Sequence, residues 1–308
     1  MQKYDLIIIG TGPAGLTASI YASRYKLSNL VIGKILGGAM ATAHRVENYP
    51  GFTSISGPEL ASKMTQQAKS LGAQILTETV AKIEKTPTGF KVKSKTGQEF
   101  EGKALILATG LERRKLNVPG EKEYLGRGVS YCVTCDIAFF RDKVVALIGG
   151  ANAAVSGAIH AAGFVKKVYL IYRRDELRAE AIWIERALAN TKIEVIYKTN
   201  ITEILGDKTK VTGIKLDNPY QESNQLAVDG VFIEIGGVPG TELVKTLGVE
   251  LDEAGFVKVR SNMATNVAGV FAAGDIANVA DEFQQIVTAT HEGAMAAFSA
   301  FKFLRQGD

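Results

Sequence analysis

The chain has 308 residues, of which 46% are hydrophobic, and a formal net charge of +4. This length predicts two domains, and the modest, dispersed positive charge argues against nucleic acid as the main partner. No apolar run reaches the roughly 18 residues of a membrane span. Because the first residues lack the layout of a signal peptide, we expect a cytoplasmic protein.

The N-terminal segment begins with an apolar run at residues 6–9, which is typical of a parallel strand buried on both faces. It leads into Gly10-Thr11-Gly12-Pro13-Ala14-Gly15 and then into a helical pattern over residues 16–25. A strand, a G-x-G-x-x-G loop and a helix in this order predict a dinucleotide-binding unit. Gly10 permits the tight turn, Gly12 lets the backbone approach a pyrophosphate, and Gly15 lets the helix pack on the strand.

Small residues also end the other strands predicted in this segment. The second strand ends at Gly33, where many such units carry an acidic residue, and Gly38 belongs to a second glycine pair suited to close backbone approach. Residues 73–95 alternate as a small antiparallel sheet would. The buried strand over residues 104–107 is followed by small residues that suit a flat ligand pressed against the strand end: Ala108, Thr109 and Gly110.

The two cysteines of the chain lie in the segment Tyr131-Cys132-Val133-Thr134-Cys135-Asp136. A Cys-x-x-Cys pair can form a small disulfide that opens on reduction, and one thiolate can then attack the disulfide of a partner. Structural zinc usually needs four ligands, so the spacing favours a redox dithiol over a metal site. Asp136 has two interpretations: a carboxylate that moves protons as the thiols form, or the N-cap of the next helix.

A second copy of the strand, glycine loop and helix follows the cysteines. A strand over residues 143–148 enters Gly149-Gly150-Ala151-Asn152-Ala153-Ala154, and we expect a helix to residue 162. Ala151 stands where the second glycine should be, and its methyl group lies where a pyrophosphate would come close. Two interpretations remain: a second nucleotide site that includes Gly150, Asn152 and Ala153, or a structural copy that no longer binds strongly.

Three arginines follow the next predicted strand, at residues 167–171. Arg173, Arg174 and Arg178 lie within six residues of one another. Guanidinium groups suit the extra 2′-phosphate of NADP, whereas an acidic residue at this strand end would select NAD. The alternative is a solvated helix start in which neighbouring carboxylates neutralise the arginines.

The closing segment repeats the pattern of a buried strand followed by small residues. Residues 270–273 lead into Gly274 and Asp275, whose carboxylate is suited to accept hydrogen bonds from a polyol chain. Residues 283–286 lead into an alanine-rich helix predicted over residues 287–304. Such a helix packs closely and can place its N-terminal dipole near a ligand.

Taken jointly, these motifs resemble those of the low-molecular-weight thioredoxin reductase family, and the resemblance spans the whole chain. It includes the segment Val46-Glu47-Asn48-Tyr49-Pro50-Gly51. The resemblance implies an α/β protein with two Rossmann-like three-layer nucleotide-binding domains, the second inserted in the first. Residues 1–113 and 241–308 would form an FAD domain, and residues 114–240 a nicotinamide domain that carries the cysteines and rotates.

The resemblance also implies residue roles, a partner and a homodimer. Electrons from NADPH would pass through FAD to Cys135, which faces the flavin, while Cys132 attacks thioredoxin or a thioredoxin-like protein and Asp136 serves as the acid. The implied FAD contacts are Gly10, Gly12, Pro13, Ala14, Gly15, Gly33, Gly38, Asn48, Val80, Ala108, Thr109, Gly110, Gly274, Asp275, Gln285 and Ile286. The implied NADPH contacts are Gly150, Asn152, Ala153, Arg173, Arg174 and Arg178.

Several positions depart from the family pattern. The usual residues are replaced by Ala39 after the second glycine pair, Gln284 before Gln285, Tyr172 before the arginines, and Ser156-Gly157 in the helix after the second glycine loop. Most of these changes, with Ala151, fall in the nicotinamide site. They leave open a disulfide reductase that uses ferredoxin or a deazaflavin, or the flavoprotein of a peroxide-reducing system. A redox switch without turnover is a further class of function.

Overall fold

The computed structural model describes residues 1–280 and 283–305, and it confirms the predicted α/β class. The chain divides into two compact units, and the second is inserted in the first. Unit 1 comprises Met1–Glu112 and Val238–Asp308, and unit 2 comprises Arg113–Gly237. The insertion expected from the sequence covers residues 114–240.

The elements are numbered in chain order. The strands are β1 Gln2–Ile9, β2 Asn29–Gly33, β3 Gln74–Thr77, β4 Val80–Thr86, β5 Gly89–Ser94, β6 Glu99–Leu107, β7 Leu111–Arg113, β8 Val129–Ser130, β9 Val144–Ile148, β10 Lys167–Ile171, β11 Ile193–Ile196, β12 Ile201–Gly206, β13 Val211–Tyr220, β14 Ser223–Ala227, β15 Gly230–Ile233, β16 Gly237–Pro239 and β17 Val270–Ala272. The helices are α1 Pro13–Arg24, α2 Gly57–Ser70, α3 Val133–Asp136, α4 Asn152–Ala162, α5 Ala181–Leu188, α6 Glu242–Lys245 and α7 Ile286–Arg305.

Unit 1 is built on a seven-stranded sheet in which β3, β2, β1, β6 and β17 run parallel. Leu6, Ile7 and Ile8 of β1 are fully buried, as expected for a strand covered on both faces. The carboxyl ends of parallel strands lie at one edge of a sheet. The small residues after β1, β6 and β17 therefore come together at that edge, where ligands bind in such folds.

Helices α1 and α7 cover one face of this sheet. Their alanines form a buried cluster with Leu6 and Ile8 of β1, and the small side chains let both helices lie close to the strands. Gly293 of α7 lies directly against α1, since a Cβ at this position would be 2.2 Å from the carbonyl oxygen of Ala14. The N-terminus of α1 is thus held between the sheet and α7.

The small sheet predicted over residues 73–95 is correct only in part. Strands β4 and β5 form the expected antiparallel hairpin, but β3 pairs in parallel with β2. The chain between β2 and β3 contains α2, and a parallel pair needs a crossover of this length. The N-cap of α2 is Ser56, whose side chain accepts a hydrogen bond from the Glu59 amide at 3.3 Å.

Unit 2 contains a five-stranded parallel sheet in the order β11, β10, β9, β15, β8, and a separate antiparallel sheet of β12, β13 and β14. Helices α4 and α5 pack on the parallel sheet, where Trp183 of α5 is buried. Strands β7 and β16 pair where the chain passes between the units. Over residues 1–280 and 283–305, none of the helices has the length and apolar character needed to cross a membrane.

The contact of Gly293 with Ala14 leaves no room for a side chain. Gly293→Ala should lower the free energy of unfolding by about 1–3 kcal/mol, the usual effect of overpacking, because the new methyl group must displace α1 or α7. Gly163→Ala is the matched control: its φ is −70°, and the nearest atom to a new Cβ is the His160 carbonyl oxygen at 3.3 Å. Urea denaturation compares the two variants, and equal midpoints would contradict the close contact of α7 with α1.

Candidate active site

Cys132 and Cys135 form a disulfide at the start of α3. The Cys135 amide donates a hydrogen bond to Cys132 Sγ at 3.2 Å. Cys135 is exposed and Cys132 is half-buried. An N–H group directed at a sulfur stabilises the thiolate that forms when the disulfide opens, so Cys132 is the better placed of the two to act as a nucleophile.

The Asp136 carboxylate is held by a hydrogen bond from Ser130. Ser130 Oγ donates to Asp136 Oδ2 at 2.6 Å and accepts from the Cys132 amide at 3.0 Å. A 3-10 turn, Ile137–Phe140, follows Asp136, whose carboxylate makes no capping hydrogen bond to it. Asp136 therefore precedes the turn at the N-cap position without capping it through its side chain, and its carboxylate is bonded within the disulfide segment.

Glu121 anchors the other side of the disulfide segment, a role that no sequence pattern indicates. Its carboxylate is buried and accepts hydrogen bonds from the Leu116 amide at 2.8 Å, the Asn117 amide at 2.6 Å and the Tyr131 hydroxyl at 2.7 Å. Burial, and then the bond to Glu121, raise the pKa of Tyr131. Tyr131, the residue before Cys132, is thus held in place as a neutral hydrogen-bond donor to the buried Glu121 carboxylate.

In unit 1, the predicted glycine residues meet at the carboxyl edge of the sheet. A Cβ on Gly10 would lie 1.9 Å from the Ala108 carbonyl oxygen, and one on Gly15 would lie 1.9 Å from the Gly10 carbonyl oxygen. A Cβ on Gly38 would lie 3.0 Å from the Gly12 Cα. These backbones are in direct contact, and the N-terminus of α1 remains free of any side-chain cap, which suits a phosphate group.

Two polar groups at this edge suit the FAD that the sequence predicts. Thr109 Oγ1 is buried and has no hydrogen-bond partner among the described residues, although such atoms are usually paired. Burial raises the pKa of Asp275, so its charged form lacks adequate solvation. A ligand that carries hydroxyl donors would satisfy both groups, and the residues present therefore fit a flavin dinucleotide.

Glu292 of α7 holds the backbone of the turn that carries Asp275, and sequence reasoning missed it. It is 3% exposed and accepts a hydrogen bond from the Gly274 amide at 2.6 Å. Burial, assisted by the negative charge of Asp275, raises the pKa of Glu292. A Cβ on Gly274 would lie 2.9 Å from the Ala14 side chain, so the turn that carries Asp275 packs on the start of α1.

The remaining predicted FAD residues fall in three places. A Cβ on Gly33 would lie 2.7 Å from Thr11 Oγ1, so Gly33 belongs to the glycine edge. Asn48 Nδ2 donates to Gln285 Oε1 at 3.1 Å, which joins the residues 46–51 loop to the start of α7. Val80 is buried in the hydrophobic core at the start of β4.

In unit 2, the second glycine loop is occupied by its neighbours. A Cβ on Gly150 would lie 2.5 Å from the ring of Tyr172, and the Arg178 amide donates to the Gly150 carbonyl at 2.7 Å. Asn152 accepts from the Glu180 amide at 2.8 Å. The side chains of the three arginines, Arg173, Arg174 and Arg178, are exposed. The structure therefore brings the arginine segment against the glycine loop.

Asp275→Asn tests the flavin site. Loss of the charged acceptor should weaken FAD binding about 10- to 100-fold, the range for a hydrogen bond to a charged group. At neutral pH the flavin-free variant should unfold at a higher temperature than the flavin-free wild type, because a buried charge has been removed. Flavin absorbance after gel filtration and thermal unfolding measure the two effects. Glu253→Gln, on an exposed side chain of unit 1, should change neither, and full flavin retention by Asp275→Asn would refute the assignment.

The chain is similar to known proteins along most of its length. The model of the family described as pyridine nucleotide-disulphide oxidoreductase matches residues 4–293. The thioredoxin reductase of Bacillus subtilis is 42% identical over 305 residues, which cover 98% of this chain and 95% of that protein. The crystal structure of Lactococcus lactis thioredoxin reductase has a TM-score of 0.93 and 40% identity, covering 98% of this chain and 99% of that one.

A structure of lower identity carries a different name. A ferredoxin-flavin thioredoxin reductase from Clostridium acetobutylicum is 33% identical, with a TM-score of 0.54 and 99% of each chain covered. The relatives with higher identity are named thioredoxin reductases without mention of ferredoxin. A family model matches residues 4–293, and a relative is 42% identical over 98% of this chain; the chain therefore belongs to the pyridine nucleotide-disulphide oxidoreductase family.

Proposed function

We propose that this protein is an FAD-dependent disulfide reductase that uses NADPH to reduce thioredoxin or a similar small dithiol protein. The observation that carries the proposal is the Cys132–Cys135 disulfide, with an amide directed at Cys132 Sγ and a carboxylate anchored beside it. The names of its relatives support the choice of thioredoxin. Ferredoxin, peroxide-reducing and non-catalytic alternatives are not favoured.

We assign FAD to unit 1 and the nicotinamide nucleotide to unit 2. The glycine edge around Gly10 and Gly38 would hold the pyrophosphate, and Asp275 and Thr109 would take hydroxyl donors. The other FAD contacts implied by the resemblance belong to the same proposal. The flavin, when bound, passes the two electrons of NADPH to the disulfide.

The dithiol then transfers two electrons to the partner. Cys132 Sγ, as the thiolate, attacks one sulfur of the partner disulfide, so that a mixed disulfide forms and the partner's S–S bond breaks. The leaving thiolate takes a proton from Asp136. Cys135, as the thiolate, next attacks Cys132 Sγ, which restores the Cys132–Cys135 disulfide and releases the second partner thiolate. The partner gains two electrons, and the protein returns to its oxidised form.

Single-cysteine variants test the order of these steps. Cys135→Ser should trap a mixed disulfide between Cys132 and thioredoxin, because the thiol that resolves it is gone. Cys132→Ser should trap none, and both variants should keep their bound flavin. Non-reducing electrophoresis with mass spectrometry identifies the adduct. An adduct in Cys132→Ser and none in Cys135→Ser would reverse the assigned roles.

The donor is tested at the second glycine loop. Ala151 has φ −97° and ψ −178°, close to the −76° and −175° of Gly12 in the first loop, so the backbone matches at this position and the side chain of Ala151 adds one methyl group. Ala151→Gly should lower the NADPH concentration needed for half-maximal flavin bleaching about tenfold, since overpacking of this kind costs about 1–3 kcal/mol. Stopped-flow absorbance under anaerobic conditions measures the change.

Replacement of Arg173 and Arg174 by Ala together should abolish the preference for NADPH over NADH. Each guanidinium can make charge-assisted hydrogen bonds to a 2′-phosphate. If neither nucleotide bleaches the flavin and Ala151→Gly gives no rescue, the nicotinamide assignment is wrong and a ferredoxin-like or deazaflavin donor replaces it.

We further propose a homodimer in the cytoplasm. Apolar side chains of α7 are partly exposed, at 37% for Val287, 37% for Phe298 and 38% for Phe303, and such residues are common in subunit interfaces. A cysteine pair that cycles between disulfide and dithiol fits a reducing compartment. Sedimentation of the purified holoenzyme measures the oligomeric state.

A further inference from the structure

Ser130 lies at the end of β8, two residues before Cys132, and is buried at 6% exposure. Its hydroxyl makes two strong hydrogen bonds. It accepts from the Cys132 amide at 3.0 Å and donates to Asp136 Oδ2 at 2.6 Å, while the carbonyl oxygen of Cys132 is farther away, at 3.3 Å. A hydroxyl carries a single proton. Because the contact with Asp136 is the shorter one, Ser130 donates its proton in a hydrogen bond to Asp136 and not to the Cys132 carbonyl.

These bonds connect the Asp136 carboxylate to the backbone of Cys132. The Asp136 amide also donates to the Cys132 carbonyl at 3.3 Å, so both ends of the aspartate are tied to the same residue. Among residues 1–280 and 283–305, Ser130 provides the one side-chain hydrogen bond to Asp136. Asp136 is half-exposed, and without Ser130 its side chain would be free to rotate into solvent.

We propose that Ser130 is the positioning residue for Asp136 in partner reduction, an inference that rests on the proposed function. When the partner's S–S bond breaks, its leaving thiolate takes the proton of Asp136, and the aspartate becomes a carboxylate. A hydroxyl donates most strongly to a carboxylate in its ionised form. Ser130 therefore holds Asp136 beside the dithiol and stabilises the charge that the proton transfer creates.

The test compares disulfides that differ in their need for a proton. Thioredoxin and hydroxyethyl disulfide release basic thiolates, whereas dithiobis-nitrobenzoate releases a stabilised thiolate that leaves without protonation. Ser130→Ala should slow the first two reactions about 10- to 100-fold, the range for one hydrogen bond to a charged group. The nitrobenzoate reaction and flavin bleaching by NADPH should change less than about twofold. A purely structural role would slow all of them together.

A double-mutant cycle shows whether Ser130 acts through Asp136. In the Asp136→Asn background, Ser130→Ala should cause no further slowing beyond about twofold, because the group that it positions is already lost. Additive effects of the two substitutions would overturn the proposal. The flavin content of Ser130→Ala shows whether it folds, and Ser130→Thr, which keeps a hydroxyl, should retain the reduction of thioredoxin and hydroxyethyl disulfide.

Thr265→Val is the matched control. Thr265 is also buried, accepts from the amide two residues ahead, Val267, at 3.1 Å, and donates to the Val270 carbonyl at 2.9 Å. It should reduce stability without a selective effect on the disulfides that need a proton. If the wild type reduces hydroxyethyl disulfide but not thioredoxin, the proposed partner is wrong. The double-mutant cycle of Ser130 and Asp136 can then still be measured with hydroxyethyl disulfide. If Ser130→Ala matches the wild type on both, the positioning role is refuted.

Discussion

Direct contact between backbones determines the shape of the site in unit 1. The backbone of Gly10 lies against Ala108, and that of Gly15 lies against Gly10, with no room for a methyl group at either contact. These contacts fix the ends of β1 and β6 and the start of α1. At the same edge, Thr109 Oγ1 has no hydrogen-bond partner among the described residues, and burial raises the pKa of Asp275. The rigid backbone keeps polar groups ready for a ligand, as a preorganised binding site requires.

Unit 2 also has glycines in close contact with their neighbours, but at Gly150 and Gly157 the neighbouring atoms belong to side chains. A Cβ on Gly150 would lie 2.5 Å from the ring of Tyr172, and a Cβ on Gly157 would lie 3.3 Å from the Val133 side chain. Both residues that depart from the family pattern here are in close contact: Tyr172 packs against Gly150, and Gly157 packs against Val133. Through Gly157, α4 lies against the helix that carries the disulfide, so the nucleotide loop and the redox pair belong to one packed block.

Sequence reasoning located the local motifs and missed the residues that support them. The Cys132–Cys135 pair and the first glycine loop are recognisable because their chemistry is set by residues close in sequence. Glu292 contacts Gly274 across 18 residues and Glu121 contacts Tyr131 across 10, and no pattern within α7 or the residues 114–128 loop marks either carboxylate. The hydrogen bond from the Ser130 hydroxyl to Asp136 joins residues six apart and could not be predicted from the sequence pattern.

The buried carboxylates link the stability of unit 1 to its ligand. Burial raises the pKa of both Asp275 and Glu292, so the folded protein holds protons that the unfolded chain releases. As pH rises from the ordinary carboxyl pKa through the raised folded value, the folded state loses stability relative to the unfolded state. Hydroxyl donors on a bound cofactor favour the charged form of Asp275 and offset this loss. A ligand that binds only the folded state adds further stability by mass action. Bound flavin therefore stabilises unit 1 at the place where burial disfavours the charge of Asp275.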